Sequence, residues 1–225
     1  MQVIALRTLK QFWQLHPEAE IPLRTWYGLA SQAVWNKPQD VKNEFGAAVD
    51  FVADNRVIFD IAGNKYRLIV HVSYRYKRIL VKFVGTHSEY DKMRPREHHM
   101  NDIRPLRTEA DYDAALETIE GYFVNEPEPG TPDADRFDLL ALVIADYERR
   151  QWEIEPPDAP DLLREQMASK GLKPSDLATL LGSKAHASEI LNRRRHLTLE
   201  QAWKLHREWR LPTDALIRPY PLRRA

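Results

Sequence analysis

The stretch that most constrains the fold runs over residues 57–92, VIFDIAGNKYRLIVHVSYRYKRILVKFVGTHSEYDK. In it Tyr66, Leu68, Val70 and Val72 alternate with Lys65, Arg67 and His71, which is the two-residue period of a half-buried strand. Gly63-Asn64 supplies the left-handed residues of a tight turn before it. After a second turn near Lys77, Ile79, Val81 and Phe83 alternate with Arg78 and Lys82. The pattern predicts a β-meander with one apolar face and one cationic face. It ends in the polar cluster Thr86-His87-Ser88-Glu89-Tyr90-Asp91-Lys92. Such a face is either the ordinary solvated side of a sheet or a surface for binding and cutting RNA.

The 225 residues allow one large domain or two small ones, and the hydrophobic share of 43% permits globular cores. No apolar run reaches membrane-span length, so no membrane partner is expected. Residues 1–10 lack a signal-peptide pattern, and the chain has no cysteine, which together suit a reducing cytoplasm. The net charge is zero, but the charges are segregated. Residues 1–99 carry 15 Lys and Arg against 10 Asp and Glu, residues 100–158 carry 5 against 16, and residues 159–225 carry 13 against 7. An acidic block between two basic ones suggests two modules facing nucleic acid and an acidic segment available to cover one of them.

Ahead of the sheet, Leu6, Leu9, Phe12, Trp13 and Leu15 predict one amphipathic helix that ends before Pro17. Leu23, Trp26, Leu29, Ala30 and Ala33 predict a second, starting after Pro22. Pro38 breaks that pattern, and residues 41–52 suit a short helix leading into the sheet. Helices followed by an antiparallel sheet make an α+β layer arrangement.

Past the sheet, residues 94–102 read as a linker. His98 and His99 are neighbours in a polar segment, and no ligand spacing anywhere calls for a metal or another cofactor. Residues 103–158 form an acidic helical region. Thr108 with Asp111 is an acidic capping box for a helix carrying Tyr112, Ala115, Leu116, Ile119 and Phe123. A Pro- and Gly-rich loop precedes an apolar helix over residues 136–151, started by Asp133 or Asp135. Pro156-Pro157-Asp158-Ala159-Pro160 marks a stiff boundary.

Residues 159–225 have the cadence of a small helix-turn-helix domain. Gly182 takes the left-handed position between two helices, and residues 183–192 form the candidate recognition helix. Ser183, Lys184, His186, Ala187 and Ser188 would face base edges, with Ile190 and Leu191 buried and Arg193, Arg194 and Arg195 clamping phosphates. Trp203, Leu205 and Trp209 are expected to pack the following helix. A helix-turn-helix reads one half-site, so a homodimer through this part is expected.

Two segments resemble known families. The strings Gly63-Asn64-Lys65-Tyr66-Arg67-Leu68-Ile69-Val70 and Phe83-Val84-Gly85-Thr86-His87-Ser88-Glu89-Tyr90-Asp91-Lys92 make residues 1–93 similar to HigB toxins, messenger-RNA interferases related in fold to RelE/ParE toxins. Leu-Ala-x-x-Leu-Gly at residues 177–182, Pro129-Gly130-Thr131-Pro132 and an Arg-Thr-Glu-x-Asp-Tyr opening make residues 100–218 resemble HigA antitoxins with a Cro/repressor-like helix-turn-helix. Those families usually keep toxin and antitoxin as separate polypeptides, whereas both strings stand here in one chain.

The resemblance implies an endoribonuclease acting on messenger RNA, on the ribosome, neutralised by an antitoxin that binds operator DNA and represses its own transcription. For attack of a ribose 2′-OH on the adjacent phosphate, His87, Glu89 and Tyr90 are the proton-transfer candidates and Lys65, Arg67 and Lys92 the charge stabilisers. Residues 94–103 span at most roughly 35 Å when extended, so the toxin–antitoxin contact can form within one chain or between two. The competing readings are a DNA-binding regulator with an inert toxin-derived domain, or an enzyme for another phosphodiester tethered to DNA.

Overall fold

A computed structural model of the chain describes residues 1–52, 55–86 and 103–223. It divides into two compact units, one of Met1–Pro17 with Val34–Ile154 and one of Glu18–Ala33 with Glu155–Ala225. No helix among the described residues is long and apolar enough to cross a membrane.

The first unit is built on a five-stranded sheet in the order β1-β5-β4-β3-β2. Strands β2 (Val49–Val52), β3 (Arg56–Ile61), β4 (Tyr66–Ser73) and β5 (Arg78–Gly85) form the expected antiparallel meander. Ala62, Gly63 and Asn64 all adopt positive φ in the β3–β4 turn, and Lys77 does so in the β4–β5 turn. The sheet is not purely antiparallel, however. β1 (Gln2–Ile4) runs parallel to β5, pairing Gln2 with Arg78 and Ile4 with Leu80. Three residues are too few to carry a readable period, so the sequence offered no sign of this strand.

A bulge changes the faces of β5. Ile69 pairs with Phe83 and Val70 with Val81, leaving Lys82 as the extra residue. Ile79, Val81 and Val84 therefore share a face with Tyr66, Leu68, Val70 and Val72, while Phe83 moves to the other side. The regular alternation expected through Phe83 is corrected by that one residue.

The apolar face packs under α1 (Leu6–Leu15) and α3 (Pro38–Phe45), with Leu9, Trp35, Val41 and Phe59 in its core. Trp35, Phe45 and Phe59 stack in one aromatic cluster, and Trp35 Nε1 donates to Glu44 Oε2 at 2.7 Å. The opposite face, expected to be cationic and open, is closed over its middle: His71 is 6% and Arg78 7% exposed. The two acidic helices α4 (Glu109–Val124) and α5 (Pro132–Gln151) close it, with Phe123 against His71 and Phe137 under Arg78. Thr108 and Asp111 cap α4 reciprocally, as the spacing requires. α5 begins earlier than expected, because Thr131 caps it and Pro132 takes the first position.

The second unit is helical throughout. It contains α2 (Glu20–Gln32), α6 (Ala159–Lys170), α7 (Pro174–Leu181), α8 (Lys184–Leu191), α9 (Leu199–Trp209) and α10 (Thr213–Ile217). α2 starts at Glu20, so Pro22 lies inside its first turn, where no intrahelical N–H bond is lost. Gly171 and Gly182 end α6 and α7 with left-handed φ of 64° and 73°. Leu23, Trp26, Leu29, Leu162, Leu163, Leu177, Ile190, Leu205 and Leu216 form the core. Trp203 is 58% exposed, which corrects its expected packing role.

Candidate functional site

At one end of the sheet the start of β4 lies beside the end of β5. Arg67 pairs with Gly85, so Lys65, Tyr66 and Arg67 come next to the point from which the His87-to-Lys92 string departs. His87, Glu89, Tyr90 and Lys92, like His98 and His99, lie outside the described residues. Lys65 and Arg67 are therefore the two expected site residues of this region that lie among the described residues, Lys65 immediately before β4 and Arg67 within its start.

Arg67 stands between two carboxylates, 3.5 Å from Asp60 and 3.8 Å from Asp50. Its charge is thereby partly balanced. Lys65 Nζ lies 5.2 Å from the centre of the Tyr66 ring. His16 Nδ1 also approaches Tyr66 Oη at 3.4 Å, and Phe12 stacks on His16 at 4.5 Å. His16 was missed in the sequence because a polar residue at the end of an apolar helix, just before a proline, carries no motif. At this end of the sheet the half-buried His16 imidazole and the Lys65 ammonium thus lie beside the buried Tyr66 phenol, while the Arg67 guanidinium, next along β4, stands on the opposite face. These are groups that can move protons and offset negative charge.

Along the same sheet face, cations meet acids from the two covering helices. Arg78 Nη2 donates to Asp138 Oδ1 at 2.6 Å, and its guanidinium lies 4.4 Å over the Phe137 ring. Lys82, the bulge residue, pairs with Glu120. His71 packs against Phe123 with ring centres 5.6 Å apart. At the sheet's far edge Glu148 of α5, 1% exposed, accepts hydrogen bonds through Oε1 from the Ala5 N–H at 2.6 Å, the Leu6 N–H at 2.9 Å and Tyr112 Oη at 2.5 Å. It thereby caps α1, whose preceding residue Ala5 has φ 72° and no side-chain cap of its own. Burial pushes its carboxyl up to about 7, against the lowering effect of those hydrogen bonds and Arg7. Arg7 in turn lies over the Tyr112 ring at 4.9 Å and pairs with Asp113.

In the helical unit, Ser183 caps α8 by accepting from the His186 N–H at 3.2 Å, and Lys184 and Ser188 are exposed on that helix. Two expectations need correction. Ala187 is 2% exposed, because it faces the helical core, and it cannot reach a base edge. Arg193 is not available as a phosphate clamp. Its guanidinium bonds Asp158 at 2.7 and 3.0 Å and Asp161 at 2.9 Å, and the Asp158 hydrogen bond holds its charge on more firmly than usual. Arg194 is exposed, and Arg195 bonds Glu189 at 2.5 Å.

Residues 19–93 match the family model HigB_toxin, described as the RelE-like toxic component of a toxin-antitoxin system. The chain is also similar to the mRNA interferase HigB of Escherichia coli O6:H1 (strain CFT073), 24% identical over 94 residues that are 41% of this chain and 91% of that protein. The mRNA interferase toxin HigB of Escherichia coli K12 is 25% identical over 92 residues, 40% of this chain and 88% of that protein. The same figures hold for the mRNA interferase HigB of Shigella flexneri. The sheet segment with Lys65 and Arg67, from helix α2 to the end of the His87-to-Lys92 string, is thus the part of this chain that matches a HigB-type toxin domain.

Proposed function

We propose that the chain joins a toxin and its antitoxin in one polypeptide. Residues 1–93 cut messenger RNA on the ribosome, residues 103–158 hold that activity down, and residues 159–225 bind operator DNA as a dimer and repress their own transcription. The observation that carries this reading is the covered sheet face. Arg78 and Lys82 of the toxin-matching segment are matched by Asp138 and Glu120 of the acidic helices, over a seam of Phe123 and Phe137. Acidic groups there occupy cations that would otherwise meet RNA phosphates.

In the cleavage, a base removes the ribose 2′-OH proton and the oxygen bonds to the adjacent phosphorus. The bond to the 5′-oxygen then breaks as an acid returns a proton to it. His87, Glu89 and Tyr90 are assigned the proton transfers, and Lys65, Arg67 and Lys92 stabilise the charge on the phosphoryl oxygens. In the helical unit, Lys184, His186 and Ser188 are assigned to base edges, and Arg194 and Arg195 to phosphates.

The test is expression of residues 1–93 with and without residues 100–225 from a second plasmid. Growth arrest with loss of messenger RNA, rescued by the second fragment and absent in Lys65→Ala, is the expected result. A soluble, folded fragment that leaves growth and RNA intact contradicts the catalytic reading. It leaves a DNA-binding regulator with an inert domain.

A further inference from the structure

Helix α2 lies inside the toxin-matching segment by sequence, yet it belongs by contact to the C-terminal helical unit. The chain crosses between units after Pro17, after Ala33 and after Ile154, so α2 is a single helix lent from one segment to the other unit. Its fit there is specific. Arg24 donates to two successive backbone carbonyls, Nε to Glu155 O at 2.7 Å and Nη2 to Pro156 O at 3.2 Å. Gln32 Nε2 donates to Asp214 Oδ1 at 2.7 Å at the start of α10. Between them Gly28 lets the backbone close onto two prolines. A Cβ there would stand 3.3 Å from Pro156 Cβ and 3.8 Å from Pro212 Cγ. Proline rings cannot swing aside as a flexible side chain would, so the approach leaves little room for any side chain at residue 28. Leu23, Trp26, Leu29 and Ala30 are buried on the same helix.

We infer that the C-terminal unit carries a receptor surface for α2. That unit is then complete, and competent to bind DNA, only with the toxin-matching segment in place. Removing α2 strips a packed neighbour from α6, leaves the Glu155 carbonyl without its Arg24 donor and leaves the Pro156 carbonyl with only the longer bond from Arg218 at 3.4 Å. A core opened in this way loosens the helices around it, including those assigned to DNA. Repression by this chain is thereby conditional on an intact toxin segment. The DNA half of the inference rests on the proposed function, whereas the structural half does not.

Hydrogen exchange read by mass spectrometry on the full chain separates the two. Arg24→Ala with Gln32→Ala removes three hydrogen bonds that link α2 to the rest of the unit, without adding volume. It is expected to lower protection of α6 and α10 amides by about tenfold or more, with β3 to β5 unchanged. Gly28→Leu is expected to do the same more strongly. Binding to a short random-sequence duplex at low salt should weaken in step. Unchanged protection of α6 and α10 in the double variant overturns the inference. Lost protection with no duplex binding by the parent chain sustains the interlock and overturns the DNA-binding reading instead.

Discussion

Glu148 is a carboxyl with one oxygen saturated by three donors and the other, Oε2, buried with no partner. Its folded-state value, up to about 7, stands above that of an unfolded glutamate near 4.5. The fold therefore favours the protonated form. The resulting stability is fully present below about pH 4.5 and is lost as pH rises through 7, a change of roughly 3 kcal/mol. Glu148→Gln keeps an acceptor for the Ala5 and Leu6 N–H groups without the charge. Chemical denaturation across pH 5–8 should show the slope flattened and the midpoint at pH 8 raised. Arg193 makes a second prediction at this scale. Arg193→Ala leaves Asp158 without its cation and Asp161 with Arg164 alone, and should cost about 2 kcal/mol in urea unfolding, whereas Arg194→Ala should leave stability unchanged. Neither role was legible beforehand. Glu148 looks like any acidic helix residue, and Arg193 like the first of three equivalent arginines, until partners distant in sequence are known.

Among the elements, the meander was legible because strands β3 to β5 bury one face with period two and their turns carry Gly63-Asn64 and Lys77. Capping chemistry likewise announced α4. What escaped was set by tertiary pairing: the three-residue β1, the Lys82 bulge that turns Phe83 over, and the cover on the cationic face. Four of the six expected catalytic residues, His87, Glu89, Tyr90 and Lys92, lie outside the described residues, and His16 came to notice only through its contact with Tyr66. The cover itself depends on Phe137, which is fully buried against Arg78, Tyr76, Tyr122 and Phe123. Phe137→Ala should cost about 3–5 kcal/mol by emptying that position, read as a lowered midpoint in thermal unfolding.

For the molecule as a whole, segregated charge that sums to zero is the feature the account turns on. The acidic block supplies α4 and α5, and their carboxylates meet cations of the toxin-matching sheet while their aromatic residues seal the seam. The most direct measurement is RNA integrity and growth on expression of the full chain carrying Glu120→Lys and Asp138→Lys. The account predicts messenger-RNA loss and arrest, both abolished when Lys65→Ala is added. A folded double variant whose β4 and β5 amides exchange faster, yet which leaves RNA intact and growth normal, would contradict it.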